Sequence, residues 1–466
     1  MMRAGIAAVL TWFAAQQAPG EKPLKVTMAL QDPQARYEAQ LLGDLDRPVG
    51  DGIYLGTTQF AAEVDDKGNL KIDTKAEDKY RTITKREIVS FQVKGETDKS
   101  KTATLKLEIH KREDGTWVYR NLTQLTVQIG QEAFVIIDAN GNGTYNDPRA
   151  DGMTWHGNTW VYPLPSMAER WCTPTMEITH FEFGAYGENA QAKGRPLATA
   201  VPAALPVLQG VNEERVKIGL TPRPEDLKLS AELQKHCVYM AMNNILTHPE
   251  ESGKPGYSKE GHEAGMRSIL SRGMAAPGIA HGMVGTYFHR QDVIRPHTIA
   301  FGVGYEGSFG GIDGRSAMGK APAHYFPVLC PVPGQKEVGL NYGKEAPDAC
   351  PGDAAAGYPI TVYFSTSALK INSYSLKAVG GAPAPKGPPA AAPGGAVECY
   401  LYDPTQGASN DMTGYQQCVC IIPKDPLRAN TEYEVSLAVT VGGKPWSKTW
   451  RFTTGAGGFR GFSPDR

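Results

Sequence analysis

Residues 278–305 read GIAHGMVGTYFHRQDVIRPHTIAFGVGY, and two periods meet inside them. Ile279, Met283 and Val284 share one face of a helix that starts near Pro277. Proline suits a first helical turn because that turn has no use for its missing N–H. The adjacent His289 and Arg290 follow, then the apolar pair Val293 and Ile294, then Pro296, then a strand-like Phe301-Gly302-Val303-Gly304. Upstream, Leu229, Leu233, Cys237, Met240 and Ala241 recur at three and four residues, which predicts one buried helical face with Ser230 as its N-cap. From Leu208 to about Phe309 the chain therefore reads as helical, in contrast to both flanks.

Toward the N-terminus, Asp32 and Pro33 open a short helical stretch over 35–45. The period then becomes two. Residues 104–110 alternate apolar and polar, Asp114 and Gly115 make a hairpin turn into 116–119, and 125–137 reads as one or two further strands. An Ala/Pro stretch at 198–206 closes this region. Toward the C-terminus, short strands at 360–364, 397–402, 418–422, 433–441 and 448–453 have the spacing of an antiparallel sandwich. Between two of them, 380–396 is nearly all Gly, Ala and Pro, too poor in apolar side chains to order itself. The expected division is a signal peptide at 1–19, a β-rich domain at 24–205, a central domain at 206–320, a β-sandwich at 325–455 and a flexible tail at 456–466. The fold class is multidomain α+β.

Composition narrows the partners. With 48 basic and 49 acidic side chains the net charge is −1, so no basic field exists to hold nucleic acid or an anionic membrane. The N-terminus carries Arg3 and then an apolar run over 4–15, the layout of an export signal. No later segment approaches the ~18 apolar residues of a membrane-spanning helix. The expected location is secreted, periplasmic or at the cell surface. Seven cysteines permit disulfides there without specifying them; Cys418 and Cys420, two apart on a strand, point to one face and cannot easily join.

Six of the ten histidines lie between His236 and His297, the strongest concentration of acid–base and metal-ligating chemistry in the chain. The stretch quoted above resembles bacterial members of the CAP superfamily: cysteine-rich secretory proteins, antigen 5 and pathogenesis-related proteins. The resemblance rests on the helix, the His-Arg pair, the proline and the Gly-Val-Gly strand. Further support comes from VNEERVKIGLTPRPEDLKLSAELQKHCVYMAMN and HPEESGKPGYSKEGHEAGMRSIL, about 110 residues in all. It implies a central α-β-α sandwich with a cleft of two histidines and two acids, and in some members a divalent metal. On the matching positions these histidines are His248 and His289. Met266 stands where the family places a glutamate and Met283 where it places a tryptophan; Glu263 or Glu250 could substitute for the acid. The last strands resemble bacterial Ig-like domains that end Lys-x-Trp-x-Phe-Thr-Thr, here 448–454.

Two imidazoles alone hold Zn²⁺ or another divalent metal weakly, because zinc sites take three or four protein ligands. The sequence has no Gly-x-Ser-x-Gly elbow, His-Glu-x-x-His helix or Walker loop. Glycines between Gly302 and Gly314 read as loose turns rather than a phosphate cradle. A second candidate is 138–151, where Asp138, Asn140, Asn142, Asp147 and Asp151 place oxygen side chains around a tight turn at Gly143. This pattern suits Ca²⁺ and resembles the first half of an EF-hand or dockerin loop, with Arg149 where the twelfth-position glutamate would be; an ordinary Asn-Gly turn is the alternative. Three classes of function follow. The first is binding of a small lipid, glycan or peptide ligand, or a cell-surface component, without catalysis. The others are a metal-dependent hydrolase at His248 and His289, and a structural or adhesive surface protein.

Overall fold

The computed structural model describes residues 20–456, apart from 33–36, 38–40, 78, 95–101, 156–160, 167–168, 174, 351–354, 382–394 and 403–415. The expected export signal, most of the Gly/Ala/Pro segment, nearly all of the tail and five of the eleven residues of the helical stretch expected at 35–45 lie outside these residues; the described residues of that stretch form no helix, and 41–42 is a turn.

In the N-terminal region the two long strands Glu87–Lys94 and Thr102–Lys111 alternate between buried and more exposed residues. Thr102–Lys111 buries Ala103, Leu105, Leu107 and Ile109 and pairs on both edges, with Glu87–Lys94 and Trp117–Asn121. Gln124–Ile129 and Glu132–Ile137 form a hairpin inside a second antiparallel sheet. Two further four-stranded sheets complete the region, and one apolar core centred on Phe60, Phe91, Phe134 and Trp171 joins all four.

The central region carries the helices: α1 (Leu205–Lys217), α2 (Leu227–Asn243), α3 (Lys259–Arg267), α4 (Gly278–Val284) and α5 (Phe288–Ile294). Between them runs a three-stranded antiparallel sheet in the order Ile269–Arg272, Phe309–Asp313, Gly302–Glu306. Successive strand residues point to opposite faces. Leu270 and Phe309 pack with Leu233, Cys237 and Met240 of α2 and Ala264 of α3, while Ile269, Val303 and Ile312 pack with α1, α4 and α5. The sheet is thus filled from both sides by helices.

Two expectations are corrected here. The start of α2 is capped by Asp226, which accepts from the N–H groups of Lys228 and Leu229; Ser230 lies inside the helix, and its Oγ accepts from the Val303 N–H at 2.9 Å. Of the glycines over 302–311 only Gly307 marks a turn, at positive φ between two strands; Gly302, Gly304, Gly310 and Gly311 lie within the strands. A Cβ at Gly304 would sit 2.9 Å from Cys237 Sγ and 3.0 Å from the Leu233 carbonyl carbon, and one at Gly310 would sit 2.3 Å from Ile279 Cδ1. These strand glycines let α2 and α4 approach the sheet closely.

The C-terminal region has a four-stranded sheet (Val328–Cys330, Ile360–Tyr363, Cys418–Pro423, Cys399–Tyr402) and a three-stranded one (Leu369–Gly381, Thr431–Val441, Lys444–Thr453), both antiparallel. Their inner faces share a core with Val362, Ile421, Leu437, Val439 and Phe452. The other face of the four-stranded sheet is not left to solvent. Cys330, Tyr363, Cys418, Cys420 and Ile422 belong to the same apolar cluster as α1, α4 and α5, so the central and C-terminal regions share one interior. All seven cysteines are free thiols, and Cys418 and Cys420 do point to one face.

Candidate functional site

The His-Arg pair sits at this shared interior, on the first turn of α5. Arg290 is fully buried and turned toward the C-terminal sheet. Its Nη1 donates to the Pro359 carbonyl at 2.7 Å and to Thr361 Oγ1 at 3.0 Å, its Nε donates to the Val284 carbonyl at 2.7 Å, and its guanidinium lies 4.8 Å from the Tyr358 ring centre. Gln291 Nε2 donates to Cys418 Sγ at 3.1 Å.

His289 faces a carboxylate that comes from well beyond the helical region. Its Nδ1 lies 3.2 Å from Oε2 of Glu345, whose side chain is 0% exposed, while 16% of the His289 side chain stays open. The helix supplies no side-chain cap of its own. Glu345 does that work: it accepts from the N–H groups of Tyr287 at 2.7 Å, Phe288 at 2.9 Å and His289 at 2.9 Å, and from Tyr342 Oη at 2.8 Å. Burial alone would raise the Glu345 carboxyl, but His289 and these N–H donors outweigh it and hold it below the ordinary carboxylate range. The Tyr342 phenol is pushed up, by burial first and by the Glu345 charge second. Tyr287, Phe288 and Tyr402 form an aromatic cluster beside the pair, with ring centres 4.8–6.3 Å apart.

The other candidates are held by different partners. His248, largely exposed, has Nδ1 2.8 Å from the Gly265 carbonyl oxygen. Glu250 is engaged by His236 instead: Nδ1 to Oε1 is 3.0 Å, both side chains are fully buried, and the other ring nitrogen lies 2.8 Å from the Thr247 carbonyl oxygen. Oε2 of Glu250 accepts from the Ser258 N–H at 2.8 Å. Glu263 is exposed and lies 3.9 Å from Lys259, and Met266 is exposed as well. Among the described residues no group of three His, Cys, Asp or Glu side chains is placed to hold a metal ion. Glu345 was not anticipated from the sequence. The one available signal was indirect: the residue directly ahead of α5 is Tyr287 rather than Ser, Thr, Asp or Asn, so the first N–H groups of the helix needed a partner from elsewhere.

No family model and no curated protein matches the chain. Among solved structures, an extracellular protein containing an SCP domain from Bacillus anthracis str. Ames aligns with 45% of this chain and 84% of its own, at 10% identity and a TM-score of 0.20. That score is too low to carry an argument about fold or activity. No described helix is long and apolar enough to cross a membrane, which leaves strands unaddressed.

The oxygen-rich loop follows directly from strand Glu132–Ile137. Asp138 Oδ1 accepts from the Gly141 N–H at 2.7 Å, and Oδ2 accepts from the Gly143 N–H at 2.8 Å and from Asn121 Nδ2 at 2.9 Å. Both glycines have positive φ, +73° and +81°, so the turn needs residues without a Cβ. One oxygen of Asp147, Oδ2, receives Asn140 Nδ2 at 3.1 Å, Asn142 Nδ2 at 2.6 Å and Thr144 Oγ1 at 2.9 Å. Asp151 is fully buried; its Oδ2 accepts from the Asp147 N–H at 2.9 Å.

Proposed function

We propose that the chain is a secreted CAP-like protein whose central region, closed off by an Ig-like C-terminal sandwich, holds a small lipid, glycan or peptide, or a cell-surface component, beside His289 without converting it. The export signal at 1–19 and the CAP-type residues around His289 support the secreted and family parts of this reading. One observation carries the binding part: the buried Glu345 fixes the imidazole and leaves 16% of the His289 side chain open, and the same carboxylate accepts from the backbone of Tyr287 and Phe288, whose rings cluster with Tyr402. A fixed polar group beside an apolar aromatic cluster suits a ligand with a polar head and an apolar body. His248 bonds to the Gly265 carbonyl, Glu250 pairs with His236, and Glu263 lies by Lys259.

A second reading draws on the same contact. A carboxylate behind a histidine is also how a general base is oriented, so a hydrolase would use Glu345 to set the ring and His289 to take a proton. Such an enzyme needs a nucleophile or a Zn²⁺-bound water as well, with His248 as the further ligand from the resemblance. The two readings part on one experiment. Purified protein is incubated with defined fatty acids, oligosaccharides and peptides and followed both for retained ligand and for released product. Retention without product, weakened in His289→Ala, supports binding; product formation abolished in His289→Ala supports the hydrolase.

A further inference from the structure

We infer that a small monovalent anion, of chloride size, binds between Arg215 and Arg223 at the seam of the N-terminal and central regions. The seam is built around one buried carboxylate. Glu169, whose side chain is 3% exposed, accepts from Thr221 Oγ1 at 3.1 Å and lies 3.5 Å from Nε2 of His324. Three guanidiniums gather on this node. Arg215 Nε donates to the Thr221 carbonyl at 3.1 Å, and Arg223 Nη1 donates at 2.8 Å to the carbonyl of Arg170, the neighbour of Glu169. Arg149 Nη1 donates to the Gly219 carbonyl at 3.0 Å. Its guanidinium lies 5.5 Å from the ring centre of Tyr325, whose hydroxyl is 2.7 Å from Thr221 Oγ1. Among the described residues none of the three is in an ion pair. Glu169 is held as above, and Glu177, the other acid near Arg223, is taken by Arg170 at 2.9 Å and Arg195 at 2.6 Å.

Two donors mark the place of the anion. Arg215 is 0% exposed; its Nε and Nη1 serve the carbonyls of Thr221, Val293 and Arg295, while Nη2 is buried without a hydrogen-bond partner. Nη2 shares the Nε edge of the planar guanidinium, the edge turned to Thr221. Arg223, 6% exposed, leaves its Nε buried and unpartnered in the same way. Guanidinium N–H groups only donate, so in the interior they need an acceptor. Water is an acceptor but leaves the charge uncompensated, and the three guanidiniums share a single carboxylate, Glu169. Charge therefore selects an anion over water. Burial first, and the Arg223 charge next, push Arg215 well below its ordinary value, and the Glu169 charge does not offset them. Enclosure sets the size, because donors this deeply buried suit a monatomic ion rather than a phosphate or the head of a larger ligand. Arg149, Glu169 and Arg170 come from the N-terminal region and Arg215, Thr221 and Arg223 from the central one, so the anion fastens the two together.

The test uses the full chain exchanged from chloride into gluconate, an anion too bulky to be enclosed. Chloride is titrated against gluconate at constant ionic strength while thermal unfolding is followed. The expected result is a saturable rise in Tm with chloride, reproduced by bromide, with a midpoint concentration about tenfold higher or more in Arg223→Gln. General salt effects act on both proteins alike, so the variant, its fold checked by circular dichroism in gluconate, separates them from binding. A second measurement needs no variant. Wild-type crystals grown in bromide should show an anomalous peak within hydrogen-bond distance of Arg215 Nη2 and Arg223 Nε. No chloride response in the wild type, an equal response in folded Arg223→Gln, or water without anomalous signal between the two arginines would each overturn the site.

Discussion

His289 Nδ1 lies 3.2 Å from Oε2 of Glu345, so the histidine of the His-Arg pair is positioned by a residue from outside the helical region. The same carboxylate caps α5 through three N–H groups, which ties ring orientation, helix start and the approach to the C-terminal sheet to one buried charge.

Replacing Glu345 by Ala leaves those N–H groups and the imidazole without their partner. We expect a loss of about 3–5 kcal/mol in urea unfolding. The pH dependence follows from the lowered carboxyl. A group whose folded pKa lies below its ordinary 4.5 stabilises the fold above that value and ceases to as pH falls through the folded value. The wild type should therefore lose stability on acidification below about 4.5 more steeply than Glu345→Ala.

Gly304→Val tests the close approach of α2 to the central sheet. The new side chain meets Cys237 Sγ and the backbone of Leu233, with no flexible neighbour to yield. A loss of about 1–3 kcal/mol is expected from thermal unfolding. An unchanged melting temperature would mean that α2 does not pack as described.

These two sites show where the sequence was readable. The apolar spacing in α2 survives in the structure because Leu233, Cys237 and Met240 face one core, a local property of the segment. Its cap was misassigned because Ser230 bonds to Val303, 73 residues away. A packing glycine cannot be told from a turn glycine without knowing what lies over it, so Gly304 was misread for the same reason. Glu345 was all but invisible: apart from Tyr342 its partners lie 56–58 residues upstream, and its own segment has no period. The tight turn at Gly143 was legible because the glycines and the Asp138 side chain that shape it are neighbours in sequence.

Glu250 and Glu263, equal candidates by sequence, should behave differently. Glu250→Ala strands the buried His236 imidazole and the Ser258 N–H, with an expected cost of about 3–5 kcal/mol. Glu263→Ala removes one end of an exposed contact with Lys259 and should stay within about 0.5 kcal/mol. Paired urea titrations decide this.

Six of the seven cysteines are buried, all are free, and burial raises the thiols of Cys237 and Cys418 well into the unreactive range. A water-soluble thiol reagent should therefore label Cys399 at most in the native protein and all seven in denaturant. A lower count in denaturant would reveal disulfides.

The central claim is that the His289 edge binds a ligand and leaves it intact. Native mass spectrometry of wild type and His289→Ala, both confirmed folded and incubated with the same fatty acids, oligosaccharides and peptides, tests it most directly. The account expects a saturable bound mass on the wild type, no cleaved product, and loss of that mass in the variant. A wild type that retains nothing, retention equal in both proteins, or product that disappears with His289→Ala would contradict it.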